Sequence, residues 1–112
     1  MEGTRLQKVG RLIQKELSEI LQREGAAKFP GKMLTITQVR VSPDLSVAKV
    51  YVSIFPSTDA DKTLEHIRDY SKFLRGELGK RVRHQLRVIP ELTFFIDDSL
   101  DYIEKIDQLL KE

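Results

Sequence analysis

The strongest constraint on the fold of this chain is a pair of β-branched segments joined by one short turn. The segments MLTITQVRV (Met33–Val41) and SVAKVYVSIF (Ser46–Phe55) have the composition of strands. Between them, Ser42-Pro43-Asp44-Leu45 forms a turn, because proline presets φ and the aspartate can hydrogen-bond to its own backbone. Alternate residues of the second segment are apolar, namely Ala48, Val50, Val52 and Ile54, and the opposite face carries Lys49, Tyr51 and Ser53. The sequence therefore predicts a hairpin with one buried face.

The N-terminal segment is predicted to form an amphipathic helix from Thr4 to about Glu24, ended by Gly25 and then by Pro30-Gly31. Its apolar residues recur at three- and four-residue spacing and are Leu6, Val9, Leu12 or Ile13, Leu17, Ile20 and Leu21. The opposite side carries four basic residues, namely Arg5, Lys8, Arg11 and Lys15. The helix thus has one side for the core and one cationic side.

A second apolar stripe follows Pro56-Ser57-Thr58, whose hydroxyl residues can cap a helix that begins near Asp59. The stripe comprises Leu64, Ile67, Ser71, Leu74, Leu78, Val82 and Leu86. The run is about thirty residues long, which is unusual for one helix of a small domain. We therefore predict two helices, with an interruption at Tyr70, Ser71 and Lys72.

The C-terminal part of the sequence predicts a third strand and a last helix. Pro90 precedes the strand Glu91–Ile96, and Ser99 can cap a helix over residues 100–112. The apolar residues of that helix are Leu100, Ile103, Ile106 and Leu110. The order α-β-β-α-α-β-α predicts an α+β fold in which a three-stranded sheet packs on helices. At 112 residues we expect one domain, 1–112, with helix 100–112 at its periphery.

The segment Gly76-Glu77-Leu78-Gly79 has the spacing of the glycine loop by which KH domains approach nucleic acid. Here Glu77 would repel a phosphate, and Leu78 is a regular step of the apolar stripe. We therefore predict a helical segment and no functional GxxG loop, although two helical glycines cost about 1 kcal/mol each. Two explanations of the glycines remain open. They let a sugar–phosphate backbone approach, or they are tolerated surface residues or permit helix packing.

The net charge of +2 conceals an uneven distribution of charged residues. Residues 72–87 hold six Lys or Arg against Glu77, and residues 1–15 hold four against Glu2. Residues 97–112 hold six acids against two lysines, a local charge of −4. The asymmetry favours a polyanion-binding side, with an uneven but inert surface as the alternative.

Contact with RNA is expected to involve phosphates rather than bases. The candidate residues are Arg5, Lys8, Arg11, Lys15, Lys72, Arg75, Lys80, Arg81, Arg83 and Arg87. At about 100° per residue, Lys72, Lys80, Arg83 and Arg87 project from one side of the predicted helix. Arg81 projects away from this basic side and is the weakest candidate. Base stacking would need exposed aromatic side chains among these residues. The aromatic residues expected in the core are Phe55, Phe94 and Phe95, which leaves Phe73 and Tyr51 as candidates for exposure.

The sequence contains no pattern typical of a catalytic or metal site. It has no cysteine, which excludes disulfides and thiolate metal ligands. His66 and His84 are expected to be isolated surface histidines. Asp97-Asp98 lacks a third ligand at evident spacing and is placed to favour the start of the last helix. We therefore predict no enzymatic activity, no metal and no cofactor.

The prediction of where the protein resides depends on two kinds of apolar segment, a signal peptide and a membrane helix. The N-terminal MEGTRLQKVGRLIQ has no apolar core of a signal peptide. No apolar run approaches the roughly 20 residues of a membrane helix. A cytoplasmic location is expected.

Four segments resemble the ribosome-binding factor A family, namely RLQKVGRLIQKELSEILQRE, VSPDLSVAKVYVS, FLRGELGKRVR and VIPELTFFIDDSLDY. The hairpin and last segments, in this order and spacing, are specific to the family. The resemblance covers nearly the whole chain and implies a type II KH fold, α-β-β-α-α-β, without a glycine loop. Family members bend between the second and third helices at an Ala-x-Gly kink. The corresponding positions here are Tyr70, Ser71 and Lys72, so the resemblance leaves the geometry of the kink open.

The resemblance also implies a function that the residues alone do not. It implies a monomeric, non-enzymatic assembly factor whose partner is the small ribosomal subunit with its rRNA. Such a factor would act late in maturation and assist processing at the rRNA 5′ end, often under cold conditions. It would use no small-molecule substrate.

Two other functions are compatible with the sequence. One is a protein-interaction module that docks a partner through the helix Leu100–Leu110 or a free sheet edge. The other is a membrane-surface helix over residues 4–24, which is weaker because Glu16, Glu19 and Glu24 interrupt its polar side.

Overall fold

A three-stranded sheet with helices on one face forms the framework of the protein. A computed structural model describes residues 2–97. Its elements are α1 (Glu2–Lys28), β1 (Met33–Val41), β2 (Val47–Phe55), α2 (Ala60–Asp69), α3 (Ser71–Val82) and β3 (Glu91–Ile96). β2 is the central strand, antiparallel to β1 and parallel to β3. The parallel pair requires a crossover, which α2 and α3 provide.

These elements confirm the predicted α+β fold class and the KH-like order α-β-β-α-α-β. The predicted last helix, Leu100–Leu110, lies outside the described residues, as do Asp98 and Ser99. The segment Gly76–Gly79 lies within α3, and Leu78 is fully buried. The prediction that it is helical and not a loop is therefore confirmed.

The buried face of the sheet follows from the alternation of apolar residues. Ala48, Val50, Val52 and Ile54 of β2 are all at most 3% exposed, as predicted. Ile36 of β1 pairs with Val52 and adds to the same face. The helices supply the other half of the core with Ile13, Leu17, Ile20, Leu74, Leu78 and Val82. Each such side chain contributes about 1.5–3 kcal/mol on full burial, so the one-sided sheet requires α1 and α3 as its cover.

α1 is longer than predicted, and Gly25 does not end it. The helix continues to Lys28. The amide of Phe29 donates to the carbonyl of Gly25 at 2.8 Å, and the Phe29 side chain is 3% exposed. Burial of this ring extends the helix through the glycine, and the chain turns only at Gly31, where φ is +78°. The prediction that Gly25 ends the helix is wrong, because tertiary packing outweighs the low helix propensity of glycine.

The predicted interruption between the second and third helices is confirmed at Tyr70. This residue lies between α2 and α3 with φ −94° and ψ 2°. Its ring stacks on Phe73 with a centroid distance of 4.7 Å and meets the edge of Phe29 at 6.3 Å. An aromatic residue therefore fixes the bend in a sequence that has neither alanine nor glycine at Tyr70, Ser71 and Lys72.

α3 ends earlier than its apolar stripe predicts. The stripe reaches Leu86, but the helix ends at Val82. The amides of Gln85 and Leu86 both donate to the carbonyl of Val82, which turns the chain back while Leu86 stays buried. Arg87 therefore does not continue the basic side of a helix. The prediction of one helical basic row from Lys72 to Arg87 is wrong in its last part.

α1 approaches the sheet closely at Gly10. A Cβ added there would lie 2.8 Å from the carbonyl oxygen of Val39 in β1. Gln14, one turn further along, donates to the carbonyl of Ile36 at 3.1 Å. Glycine at position 10 thus lets the helix backbone rest directly on the strand.

Replacement of Gly10 by alanine is expected to lower the free energy of unfolding by about 1–3 kcal/mol, because the helix must move off the sheet. Gly25→Ala is the matched control, since an added Cβ there meets no heavy atom within 4 Å. That variant is expected to gain about 0.5–1 kcal/mol from helix propensity. Urea denaturation of both proteins measures the difference, and equal effects would contradict the close contact at Gly10.

Candidate nucleic-acid interface

Ion pairs fix α1 and α3 side by side in antiparallel orientation. The Arg81 Nη1 atom lies 3.1 Å from Glu16 Oε2 and 2.6 Å from Glu19 Oε2. Further along, Arg23 Nη2 lies 2.7 Å from Glu77 Oε1. Residues earlier in α1 thus pair with residues later in α3. The N-terminal half of α1 therefore lies beside the segment that follows Val82.

The charges of this seam between α1 and α3 largely neutralise one another. The hydrogen bond from Lys80 is the main cause that lowers the pKa of Glu77, so this carboxylate stays ionised. The hydrogen bond to Glu16 is the main cause that raises the pKa of Arg81. Arg81, the weakest of the predicted RNA contacts, is therefore used to hold the two helices together.

The basic residues of α1 lie on its outer side, towards α3. Gly10 and Gln14 mark the side that faces β1, and Glu16 and Glu19 mark the side that faces α3. At about 100° per residue, Lys8, Arg11 and Lys15 project away from β1. The structure leaves all three side chains exposed.

α3 presents a matching outer row. Glu77 and Arg81 face α1, and the core residues lie a quarter turn away. Lys72, Gly76, Lys80 and Arg83 then fall on the outer side of the helix. Lys80 lies within 3.0 Å of Glu77. Five exposed basic residues on the outer sides of α1 and α3 make no ion pair within residues 4–97, and we call them the outer basic surface. They are Lys8, Arg11, Lys15, Lys72 and Arg83.

Two predicted RNA contacts from distant parts of the chain meet beyond this surface. Arg5 and Arg87 line one pocket beside the turn between β1 and β2. Like the outer basic surface, they make no ion pair with the residues between 4 and 97. The antiparallel seam brings them together, which the helical projection of the sequence did not predict.

Arg75 has a structural role in addition to its charge. Its Nε atom donates to the carbonyl of Pro90 at 3.1 Å, and Nη2 donates to the carbonyl of Ile89 at 2.6 Å. These bonds hold the segment after α3 against the helix. Arg75 is exposed but has two of its donors occupied.

The two glycines of α3 line a shallow pocket of about 340 Å³ together with Lys72, Arg75 and Ile89. A Cβ added at Gly76 would meet no heavy atom within 4 Å, so helix packing does not require this glycine. A Cβ at Gly79 would make an ordinary contact of 3.4 Å with Ile89 Cγ1. Of the explanations considered, tolerance at the surface and close approach of a sugar–phosphate backbone remain for Gly76.

The aromatic residues lie partly where the sequence did not predict them. Phe94 is 1% exposed, but Phe55 and Phe95 are 53% and 38% exposed, so their prediction as core residues is wrong. Neighbouring residues of a strand point to opposite faces, and the helices within residues 2–97 cover only one of these faces. Phe95 stacks on Tyr51 of the next strand with a centroid distance of 5.6 Å. The alternation of β2 places Phe55 on the same face as Lys49, Tyr51 and Ser53. This alternation was the sequence signal that could have identified Phe55 as exposed.

The described residues offer no metal site and no membrane span. No group of three His, Cys, Asp or Glu residues within them could hold a metal ion. Asp97, predicted to favour the start of the last helix, accepts a hydrogen bond from Thr37 Oγ1 at 2.5 Å, and that helix lies outside residues 2–97. His66 and His84 are both exposed, as predicted, although His66 also meets the edge of Phe29. Among the helices of the described part, none is both long and apolar enough to cross a bilayer.

Comparison with known proteins matches residues 5–110 to the family described as ribosome-binding factor A. A protein of that name from Flavobacterium johnsoniae is 50% identical over 98% of this chain and 85% of its own length. The corresponding protein from Cytophaga hutchinsonii is 46% identical over the whole chain and 84% of its own length.

Solved structures of the same name share the fold. The crystal structure of ribosome-binding factor A from Thermus thermophilus superposes with a TM-score of 0.68 at 27% identity, covering 80% of this chain and 92% of the other. A second Thermus thermophilus structure gives a TM-score of 0.66 at 30% identity, over 80% of this chain and 91% of the other. It is a homology model fitted into a cryo-EM map of a 30S complex of that protein.

The different tasks of Arg81 and Arg83 can be separated by stability. Arg81→Ala is expected to lower the free energy of unfolding by about 1 kcal/mol, because it removes two ion pairs at a partly buried seam. Arg83→Ala, at an exposed position two residues away, is the control and should stay within about 0.5 kcal/mol of the parent. Urea unfolding measures both, and loss of stability in Arg83→Ala alone would contradict the assignment.

Proposed function

This chain belongs to the ribosome-binding factor A family, and we propose that it binds the small ribosomal subunit through phosphates of folded rRNA. The outer basic surface supplies the cations, and Arg5 and Arg87 extend it at one end. The Thermus thermophilus relative that has been fitted into a 30S complex supports this partner. The KH-like sheet serves as the rigid platform that holds both helices.

One observation carries the proposal. Among the ten basic residues predicted from the sequence, the structure uses Lys80 and Arg81 in ion pairs and Arg75 in backbone hydrogen bonds. The other seven are exposed and make no ion pair within the described residues. Exposed cations on rigid helices, with neighbouring carboxylates neutralised, are suited to replace the counterions of RNA phosphates. We leave Arg81 out of the proposed contact set.

The finer role that we propose is assistance in the last steps of subunit maturation. In this role the protein assists processing at the 5′ end of the small-subunit rRNA, including at low temperature. It acts as a cytoplasmic monomer without enzymatic activity or cofactor, and residues 1–112 work as one RNA-binding domain.

A second candidate function is a protein-docking module. The observation that favours it is the face of the sheet that no helix of residues 2–97 covers, where Tyr51, Phe55 and Phe95 lie outside the helical core. Exposed apolar residues that lie together on a sheet often mark a protein contact. This alternative predicts that binding to the subunit is insensitive to charge on the helical side.

Affinity for purified small subunits is expected to fall about a thousandfold when the salt concentration rises from roughly 50 to 200 mM, for about six phosphate contacts. Co-sedimentation through a sucrose cushion at several salt concentrations measures this dependence. A flat response to salt would argue for apolar docking and against the proposal.

Reversal of charge on the outer basic surface is expected to weaken this binding. The variant Lys8→Glu/Arg83→Glu changes one residue on each helix and should weaken subunit binding about tenfold or more, since two attractive contacts become repulsive. The matched control is Lys49→Glu/Lys62→Glu, which makes the same change in net charge at exposed positions on β2 and α2. Equal loss in both variants would indicate a general charge effect and contradict a defined surface.

A further inference from the structure

The turn between β1 and β2 is built more rigidly than a connection between two strands requires. Asp44 Oδ1 accepts hydrogen bonds from Ser42 Oγ at 2.7 Å, Ser46 Oγ at 2.7 Å and the Ser46 amide at 3.1 Å. The bond from Ser42 is the main cause that lowers the pKa of Asp44 from 3.8 to about 2. All three bonds end on Oδ1, so Oδ2 keeps its capacity to accept.

The rigid turn holds Leu45 in an unusual conformation. Its φ is +62°, in the left-handed region that non-glycine residues seldom adopt. The Leu45 amide donates to the carbonyl of Ser42 at 2.8 Å, which fixes this geometry. A glycine or asparagine would satisfy the turn alone. Such conformations persist where the surrounding structure imposes them and often mark functional positions.

The side chain of Leu45 forms one wall of a pocket of about 410 Å³, which we call the hairpin pocket. The other apolar walls come from Val9 of α1 and from Leu86 and Val88 after α3. Val88 is 62% exposed, so its position is not explained by the core. Three segments far apart in the sequence thus create one apolar recess.

Polar groups of opposite character surround this recess. Arg5 and Arg87 supply cations that have no ion-pair partner between residues 4 and 97. Asp44 supplies an anionic acceptor, and Gln85 supplies an amide. A ligand for this pocket must combine a flat or apolar body, hydrogen-bond donors and a negative charge.

We propose that the hairpin pocket binds one unstacked guanine nucleotide of the RNA strand, with its base against Leu45 and Val88 and its phosphates at Arg5 and Arg87. This inference rests on the proposed function, because it places a single-stranded segment beside the outer basic surface. Single-stranded RNA is recognised through bases that leave the stack, pack on aromatic side chains or arginine guanidinium planes and hydrogen-bond through their Watson–Crick edges. In this pocket Arg5 and Arg87 supply the guanidinium groups. The volume lies within the range of pockets for small ligands, which starts at about 300 Å³.

The carboxylate of Asp44 favours guanine over uracil. Asp and Glu accept hydrogen bonds from base amino groups. Guanine presents the N1–H and N2–H donors side by side. Both can bond to Oδ2 of Asp44, or one can bond to Oδ2 and the other to a neighbouring acceptor. Uracil places one donor between two carbonyls that repel the carboxylate. An acidic peptide would satisfy the two arginines, but its acidic side chains lack a flat body with paired donors to match the apolar walls and Asp44, so RNA suits the pocket better than such a peptide.

The experiment compares two pentanucleotides, UUGUU and UUUUU, titrated into the full chain and observed by NMR. UUGUU is expected to bind about tenfold more tightly and to shift the methyl signals of Leu45, Leu86 and Val88. Asp44→Asn keeps an oxygen for the turn and places an amide where the second acceptor was, so the preference for UUGUU should fall to about twofold or less.

A second variant does not touch the turn. Val88→Ser removes an exposed apolar wall and should weaken binding of UUGUU about fivefold or more by loss of base contact. Met33→Ser, at a position that is 67% exposed on the uncovered sheet face, is its control and should bind as the parent does. Amide spectra of all variants establish that the hairpin is intact.

Equal affinity for both pentanucleotides, or an unchanged preference in Asp44→Asn, would overturn the inference. So would methyl shifts caused by rRNA-free proteins of the small subunit and not by RNA, which would assign the pocket to a protein partner. The two proposals fail separately. If Lys8→Glu/Arg83→Glu still loses subunit binding while the pentanucleotides bind alike, the proposed function stands and the guanine site does not. If the parent protein does not bind subunits but prefers UUGUU, the guanine site stands and the proposed function does not.

Discussion

The seam between α1 and α3 determines which charges of this domain reach solvent. α1 carries Glu16 and Glu19 on the side that faces α3, and Arg81 lies between them at hydrogen-bond distance from both. Glu77 is neutralised in the same way by Arg23 and Lys80. Glu16, Glu19 and Glu77 are thereby paired along the seam. The lysines and arginines left outside make the outer surface more positive than the sequence composition suggests.

The same seam converts two separate basic segments into one surface. In the sequence, residues 1–15 and 72–87 are more than fifty positions apart. Antiparallel packing places the beginning of α1 beside the end of α3, and the bonds from Arg75 to the carbonyls of Ile89 and Pro90 fold the following segment back along the helix. Arg5 and Arg87 then border one recess. The helices α1 and α3 fix the spacing of Lys8, Arg11, Lys15 and Lys72, and the proposed recognition of a folded RNA by its shape depends on this spacing.

Much of the fold could be predicted because local and tertiary preferences agree. The alternation of Ala48, Val50, Val52 and Ile54 identified the buried face of β2, and Leu78 showed that the glycine pair belonged to a helix. Predictions failed where packing of distant residues outweighed a local signal. Phe29 carries α1 through Gly25, and the turn after Val82 removes Arg87 from α3. At the candidate site, exposed cations could be identified from the sequence, but their partners could not. Which arginine holds a seam and which meets solvent depends on contacts between helices, and periodicity along one helix contains no such information.

The parallel pairing of β2 with β3 affects the order in which the domain can assemble. The β1–β2 hairpin is local, whereas β3 must close a loop through α2 and α3 before it can pair, and such long-range closure is entropically slow. The segment that contains Arg87 leads directly into β3 and is anchored by its docking. A chain still emerging from its own ribosome would thus have its N-terminal cations but lack half of the completed surface. The surface proposed to contact rRNA is in this way complete only after β3 has paired with β2.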